Sequence, residues 1–200
     1  MKKKIIISVV SAVAALVLGL VLVCAFMHPL DKLKLRMATA DSYQIDIVIY
    51  DVPLIGTQTM IAKVDGDVKY TNGILFGAEA YTETVKGTDY KYSKNASGAW
   101  ERAVAEESSS SDELIDFDTL LRMFDPDNYD KVDGEKNKYA QKADVEIAED
   151  IKDVVITIED DYFTIDAVGV KSILGFKLSL NMQAKVYNIN KTEITLPDIE

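Results

Sequence analysis

The sequence predicts an α+β fold that is mainly β, with an antiparallel sheet packed on one amphipathic helix and a single transmembrane helix at the N-terminus. Three features of the 200-residue chain predict this fold: an apolar run near the start, short stretches in which apolar and polar residues alternate, and one later stretch with apolar residues at helical spacing. About 160 residues follow the apolar run and its flank, enough for one domain with its own core.

The apolar run extends from Ile5 to Met27, and its only polar side chains are Ser8, Ser11 and the thiol of Cys24. As an α-helix it would be roughly 35 Å long, which exceeds the ~30 Å hydrocarbon core of a bilayer. We therefore assign residues 1–4 to a cytoplasmic tail and residues 5–27 to a transmembrane anchor.

Two other interpretations of this run are open. A signal peptide also begins with a basic segment such as Lys2 to Lys4, but its apolar part is usually ~7 to 15 residues long and ends at a small-x-small cleavage site. The nearest such site, Ala38 to Ala40, lies well beyond the run, and cleavage there would release a secreted protein. Lipidation of Cys24 would require a small residue before it, where this chain has Val23. We therefore expect an uncleaved anchor with an unmodified cysteine.

The orientation of the anchor follows from its flanks. Lys2 to Lys4 lie before it, and Lys32, Lys34 and Arg36, diluted by Asp31, lie after it, so the basic residues that favour the cytoplasmic side are nearly balanced. A basic terminus followed by an apolar run is typical of an export signal. We expect the N-terminus inside the cell and the domain outside, at the cell membrane.

The chain beyond the anchor is strongly acidic. It has 33 acidic residues against 19 basic ones once Lys2, Lys3 and Lys4 are set aside, a net charge of −14. This balance excludes a nucleic-acid partner, because phosphate binding depends on Lys and Arg contacts. No His or Cys follows His28, which excludes a Ser-His-Asp or Cys-His triad, a His-ligated zinc, a haem and an iron–sulfur cluster in the domain. We expect no enzyme and no cofactor.

After a short charged linker at 28–40, residues 41–200 predict a β-rich extracytoplasmic domain. Tyr43, Ile45, Ile47 and Ile49 alternate with polar or smaller residues, as in a half-buried strand. Further strands are predicted at 57–64, 68–75, 80–85, 90–93, 100–104, 138–145, 154–159, 162–168 and 176–187, with a closing segment at 192–196. Turn signals such as Asp65-Gly66 separate these strands, which indicates an antiparallel meander.

One helix is predicted between the two groups of strands. Ser110 and Glu113 have the spacing of a capping box, and Pro126 marks the end of the helix. Between them a single apolar stripe recurs at helical spacing, formed by Leu114, Phe117, Leu120, Leu121 and Phe124. The stripe either completes a filled core against the sheet or forms a movable lid over an apolar cavity. Leu114, Phe117, Leu121 and Phe124 are the candidate ligand-binding residues.

An acidic turn follows this helix, and its residue types are those that bind calcium in proteins. Asp125, Asp127, Asn128, Asp130, Asp133 and Glu135 supply the oxygen ligands that calcium prefers. Their spacing does not fit an EF-hand loop, because Tyr129 stands where the third ligand is needed and Asp130 where the glycine is needed. We therefore expect a solvated acidic turn and no metal site.

The order of these features resembles the LolA/LppX-type lipoprotein-carrier superfamily. The resemblance rests on an exported N-terminal segment, a run of antiparallel strands, Gly98-x-Trp100, one inserted amphipathic helix that ends at Asp125-Pro126, and a long last strand followed by Leu196-Pro197. It implies a strongly curved antiparallel sheet, or half-barrel, around the helix, with an apolar cavity that takes acyl chains. The chain departs from the family in lacking a lipobox and in having one clear helix instead of several.

Two functions are therefore expected, both without catalysis. The resemblance implies a membrane-anchored extracytoplasmic domain that binds a lipid or other apolar ligand. The anchor alone is equally typical of a cell-surface accessory or sensor domain that binds a protein partner.

Overall fold

The computed structural model describes residues 26–73, 77–105, 121–173 and 176–199, and most of them form one antiparallel sheet. A helix α1 (Pro29–Ala38) precedes the strands, and a 3₁₀ turn (Pro126–Asn128) lies between the sixth and seventh. The strands are β1 (Ser42–Val52), β2 (Gly56–Asp65), β3 (Val68–Gly73), β4 (Gly77–Val85), β5 (Thr88–Lys94), β6 (Trp100–Val104), β7 (Tyr129–Lys131), β8 (Lys138–Gln141), β9 (Ile151–Ile158), β10 (Tyr162–Ile173) and β11 (Phe176–Tyr187).

The eleven strands follow the order β6-β5-β4-β3-β2-β1-β11-β10-β9-β8-β7. Each strand pairs with its sequence neighbour except across β6 and β7, which lie at opposite edges, and the first and last strands pair with each other in the middle. The sheet therefore consists of two meanders joined along β1 and β11. The mainly β, antiparallel fold predicted from the sequence is confirmed.

Alternation along β1 places its apolar residues on one face of the sheet. Ile45, Ile47 and Ile49 are buried, whereas Gln44 and Asp46 lie on the other face. The buried face continues through β2, β11, β10, β9 and β8 with Met60, Val186, Phe163, Ile156 and Tyr139. We call this side the core face.

Helix α1 covers part of the core face. Pro29 occupies its first turn, where a proline has no hydrogen bond to lose, and the His28 side chain accepts a hydrogen bond from the Leu30 N–H at 3.2 Å. Leu30, Leu33 and Met37 recur at helical spacing and are buried in the main core. The core thus includes residues that the sequence analysis assigned to the linker 28–40.

On the opposite face, one row of directly paired side chains crosses eight strands. The row is Tyr162, Tyr187, Gln44, Lys63, Tyr70, Tyr81, Tyr92 and Arg102. The Tyr70 and Tyr81 rings lie 4.9 Å apart, and the Tyr92 hydroxyl donates to Glu83 at 2.7 Å. Directly opposite residues of antiparallel strands share a face and contact each other, so this row stabilises the strand pairing.

Beyond β2 the apolar character changes sides. On β5 and β6 the core face carries Lys91, Ser93, Glu101 and Ala103, all exposed, whereas Tyr92 is buried on the opposite face outside the main core cluster. The main core is therefore limited to β1, β2 and the C-terminal meander with its covering segments.

Several predicted elements differ from the structure or lie outside the described residues. Strand β7 was missed because three residues are too few to show a period, and β8 ends at Gln141 instead of 145. The closing segment 192–196 is bound to the sheet without forming a strand of its own, since the Ile194 N–H donates to Asp65 at 3.0 Å. Residues 5–25 of the predicted anchor and residues 106–120 of the predicted helix lie outside the described residues. Within the described residues, no helix is long and apolar enough to cross a membrane.

The burial of α1 predicts a large difference between two substitutions on the same helix. Met37→Ala should lower the free energy of unfolding by about 2 to 5 kcal/mol, because Met37 is fully buried in the core. Leu35→Ala, at a side chain that is 52% exposed, should change it by less than about 0.5 kcal/mol. Urea denaturation of both variants measures the difference, and equal effects would show that α1 does not belong to the core.

Candidate functional site

The core face holds the candidate ligand-binding residues that the structure describes. Phe124 is fully buried, and its ring meets the ring of Phe163 on β10 edge to face, with 5.4 Å between centroids. Leu121 is half-buried and packs against the same core. Leu114 and Phe117 lie outside the described residues. The structure therefore brings Leu121 and Phe124 together, and at Phe124 the core is filled.

The segment that carries these residues connects the two edges of the sheet. It leaves β6 after Val104 and reaches β7 at Tyr129, and these strands lie at opposite ends of the strand order. At its end the 3₁₀ turn begins with Asp125, whose carboxylate accepts a hydrogen bond from the Asp127 N–H at 3.0 Å. This hydrogen bond caps the 3₁₀ turn, and the turn leads from Phe124 into the edge strand β7.

A row of incompletely covered apolar side chains extends along β11 on the core face. Leu180, Met182 and Ala184 are only half-buried, although β11 lies near the middle of the sheet. Val186, further along the same strand and face, is fully buried. Among the described residues, the core is thus closed near Val186 and less completely covered toward Leu180, which leaves part of the apolar surface of a central strand accessible.

Tyr129 supplies a polar group to the same face. Its side chain is 5% exposed, and its hydroxyl has no hydrogen-bond partner among the residues that the structure describes. The residue directly opposite, Gln141, uses both ends of its amide elsewhere: it donates to the Val145 carbonyl at 2.6 Å and accepts from the Val154 N–H at 2.9 Å. A buried hydroxyl without a partner is unfavourable, by about 1 to 3 kcal/mol. Within the described part of the chain, the Tyr129 hydroxyl is therefore an unpaired donor in an apolar region.

Burial raises the pKa values of the tyrosines in and beside the core. Burial raises the pKa of Tyr129 far above its ordinary value, because the charged phenolate would lose its hydration. Burial also raises the pKa values of Tyr139 and Tyr43, which belong to or pack against the same core. The core face therefore presents neutral hydroxyls at physiological pH.

The acidic turn after Phe124 forms hydrogen bonds with its own backbone and with a lysine. The Asp127 carbonyl accepts from the Lys142 ammonium at 2.7 Å, and Asp130 is exposed on β7. In the part of the chain that the structure describes, no three His, Cys, Asp or Glu side chains converge in an arrangement that would hold a metal ion.

A polar cleft of about 240 Å³ lies at the C-terminal end of α1. It is lined by Arg36, Asp161, Asn188, Ile189 and Lys191. All of these except Ile189 are exposed. The cleft is a feature of the surface, and of its lining residues Ile189 also belongs to the main core.

The chemistry available on the core face is apolar contact together with one buried hydrogen-bond donor. Sequence analysis identified Leu121 and Phe124 but missed Tyr129, Leu180 and Met182. The alternation of Leu178, Leu180, Met182 and Ala184 was a signal for the last two, whereas nothing in the sequence marks the Tyr129 hydroxyl as unpaired. Comparisons with protein-family models and with curated protein sequences find no match for this chain.

The raised pKa values predict that the domain loses stability at alkaline pH. Below pH 10, the ordinary pKa of tyrosine, folded and unfolded states both keep the Tyr129 proton. Above it the unfolded state loses the proton first, so the free energy of unfolding should fall as pH rises, by about 1.4 kcal/mol per pH unit for each strongly shifted tyrosine. Tyr129→Phe should remove the contribution of Tyr129 to this decrease in the free energy of unfolding with pH. Urea denaturation between pH 8 and pH 11, roughly the range in which tyrosine titrates, measures both slopes; equal slopes would contradict a buried Tyr129.

Proposed function

We propose that this protein is a membrane-anchored extracytoplasmic domain that binds a lipid or other apolar ligand on its core face, without catalysis. The observation that carries the proposal is the half-covered row Leu180, Met182 and Ala184 on a central strand. An accessible apolar surface in the middle of a sheet is typical of a ligand site.

The proposal includes a curved, half-barrel form of the sheet, in keeping with the resemblance to the lipoprotein carriers. Met60 on β2 and Tyr139 on β8 belong to one contiguous core cluster, although four strands separate β2 from β8 in the sheet. In a flat sheet these two strands would be about 24 Å apart, since neighbours are ~4.8 Å apart. The cluster is contiguous through the buried residues of the intervening strands and of α1, so the half-barrel form is taken from the resemblance.

An acyl chain suits the chemistry of this face. Each methylene buried against Leu180 or Met182 would contribute about 0.8 kcal/mol. An ester or carboxyl oxygen of the ligand can accept the hydrogen bond that the Tyr129 hydroxyl lacks, which would remove the penalty of leaving that donor unpaired. Both contributions favour a ligand with a long apolar chain and an oxygen acceptor.

The proposal predicts that full-length protein extracted from its own membrane carries lipid. Denaturation of the purified chain should release lipid in stoichiometric amount, detected by mass spectrometry. Leu180→Asn should reduce the bound fraction more than tenfold, because it removes about 1.5 to 3 kcal/mol of apolar contact. Ser179→Asn is the matched control, since Ser179 is exposed and lies on the other face of the same strand.

A wild-type protein that carries no lipid and does not bind an added fluorescent fatty acid would contradict the proposal. That result would favour the other expected function, an accessory or sensor domain that binds a protein partner. Equal loss of lipid in Leu180→Asn and Ser179→Asn would place the ligand elsewhere than the core face.

A further inference from the structure

Strand β10 has a glycine on the core face, beside the half-covered row of β11. Gly169 continues the buried alternation of Ile165 and Ala167, and it lies directly opposite Leu180. Glycine is unfavourable inside a strand, because it has no side chain to pack and loses more backbone entropy than other residues do. A glycine at this position therefore needs a specific reason.

The backbone does not require this glycine. The φ of Gly169 is outside the left-handed region, so a residue with a side chain could adopt the same conformation. The pairing of β10 with β9 is irregular between Asp166 and Val168, but the residue with a left-handed φ at this bulge is Asp153 on β9. The pairing with β11 continues through Gly169 without a break. The reason for the glycine is therefore the space that a side chain would occupy.

That space holds the end of the Met182 side chain. A Cβ added at Gly169 would overlap the Met182 Cε, whereas the Met182 Sδ and the Leu180 carbonyl oxygen would both be 3.9 Å away, an ordinary contact distance. The overlap is thus with a terminal methyl group. We call the space above Gly169 the notch.

A second glycine that lies against a methionine shows how the notch differs from a filled core. A Cβ at Gly73 would lie 2.7 Å from the Met60 Cγ and 3.0 Å from its Cα, and Met60 is 1% exposed, so its side chain is fixed there. Met182 is half-buried and reaches the notch with its terminal methyl group. Methionine is unbranched and has three rotatable bonds, so Met182 can leave the notch without a change in the backbone.

The group that occupies the notch shows which ligands it accepts. The end of Met182 is an unbranched thioether, similar in cross-section to an unbranched alkyl chain. A branched or cyclic end would be wider and would meet the backbone of the two strands at Gly169 and Leu180. Among apolar ligands, the notch therefore favours one with an unbranched chain.

We propose that the notch at Gly169 receives the methyl end of an unbranched acyl chain after the Met182 side chain has moved out of it. This inference rests on the proposed function and narrows its ligand from apolar compounds in general to straight acyl chains. Leu180 lies beside the last methylenes of the bound chain, and the displaced Met182 covers them. Gly169 and Met182 are accordingly the residues that determine specificity.

The first test is a competition between two acids with the same number of carbons. The full-length chain in detergent micelles receives equal amounts of hexadecanoic acid and its iso-branched isomer, which has a methyl branch next to the chain end, and gas chromatography quantifies the bound acids. The wild-type chain should retain the straight acid at least about tenfold over the branched one, because one misplaced methyl group in an apolar pocket changes affinity by about 10- to 200-fold. Competition cancels the similar partition of both acids into micelles.

Two substitutions should remove this preference in opposite ways, as separate titrations of each acid would show. Gly169→Ala places a Cβ in the notch, so affinity for the straight acid should fall about tenfold, to that of the branched acid. Met182→Ala widens the notch, so affinity for the branched acid should rise to nearly that of the straight acid. Asn181→Ala is the matched control, since Asn181 is exposed on the other face of the same strand and should leave both affinities unchanged.

A second measurement follows Met182 directly and does not depend on the stability of a variant. Methionine is labelled in its methyl group for nuclear magnetic resonance, and the Met182 signal is assigned by its loss in Met182→Leu. Addition of hexadecanoic acid to the wild-type chain should shift the Met182 signal. The Met60 signal should not shift, because Met60 is fixed beside Gly73.

The outcomes separate failure of this inference from failure of the proposed function. A chain that binds neither acid contradicts both. A chain that binds the two acids equally, or binds the straight acid without a shift of the Met182 signal, overturns the inference alone. A preference for the straight acid that Gly169→Ala leaves unchanged would also overturn it, because the chain end would then lie outside the notch.

Discussion

The pairing of the first strand with the last is the interaction on which the rest of the structure depends. Gln44 lies directly opposite Tyr187, 143 residues away, and both bond to Asp46. Without this pairing β1 and β11 would become two further open edges, and β1 and β2 would lose their contact with the rest of the core. The segment after β11 reinforces it, since the Asn190 N–H donates to the Ser42 carbonyl at 2.7 Å. Contacts between distant parts of a chain form slowly, so we expect this seam to limit the folding rate.

The change of apolar face beyond β2 has a physical consequence for the N-terminal meander. Among the described residues, no part of the main core covers strands β3 to β6, and contacts between side chains on the surface of these strands stabilise them. There Arg102 lies 3.8 Å from the centroid of the Tyr90 ring and forms a salt bridge with Glu83 at 3.1 Å. Lys94 lies over the Trp100 ring at 4.8 Å in the same way. Cation–π contacts and ion pairs that share residues stabilise a network better than isolated surface pairs do.

The core face and the β1–β2 turn are connected through the central strands of the sheet. The half-covered row on β11 and the unpaired Tyr129 hydroxyl lie on the face that α1 also covers. Leu54 lies in this turn, at the end of β1, and β1 pairs with β11. Since α1 begins next to the apolar run, the same segment that would hold the protein at a membrane also closes one part of the core.

The sequence by itself determined the mainly β, antiparallel class of fold and most strand positions, because alternation and turn residues are local properties of the chain. It also located Leu121 and Phe124 on one apolar stripe. Only the tertiary structure decided that β1 pairs with β11, that α1 belongs to the core, that the apolar face changes sides after β2 and that Tyr129 is buried without a partner. Each of these features depends on contacts between residues that are distant in the chain. A period of two or 3.6 residues predicts which face of a strand or helix a residue lies on, but it does not predict which other segment packs against that face.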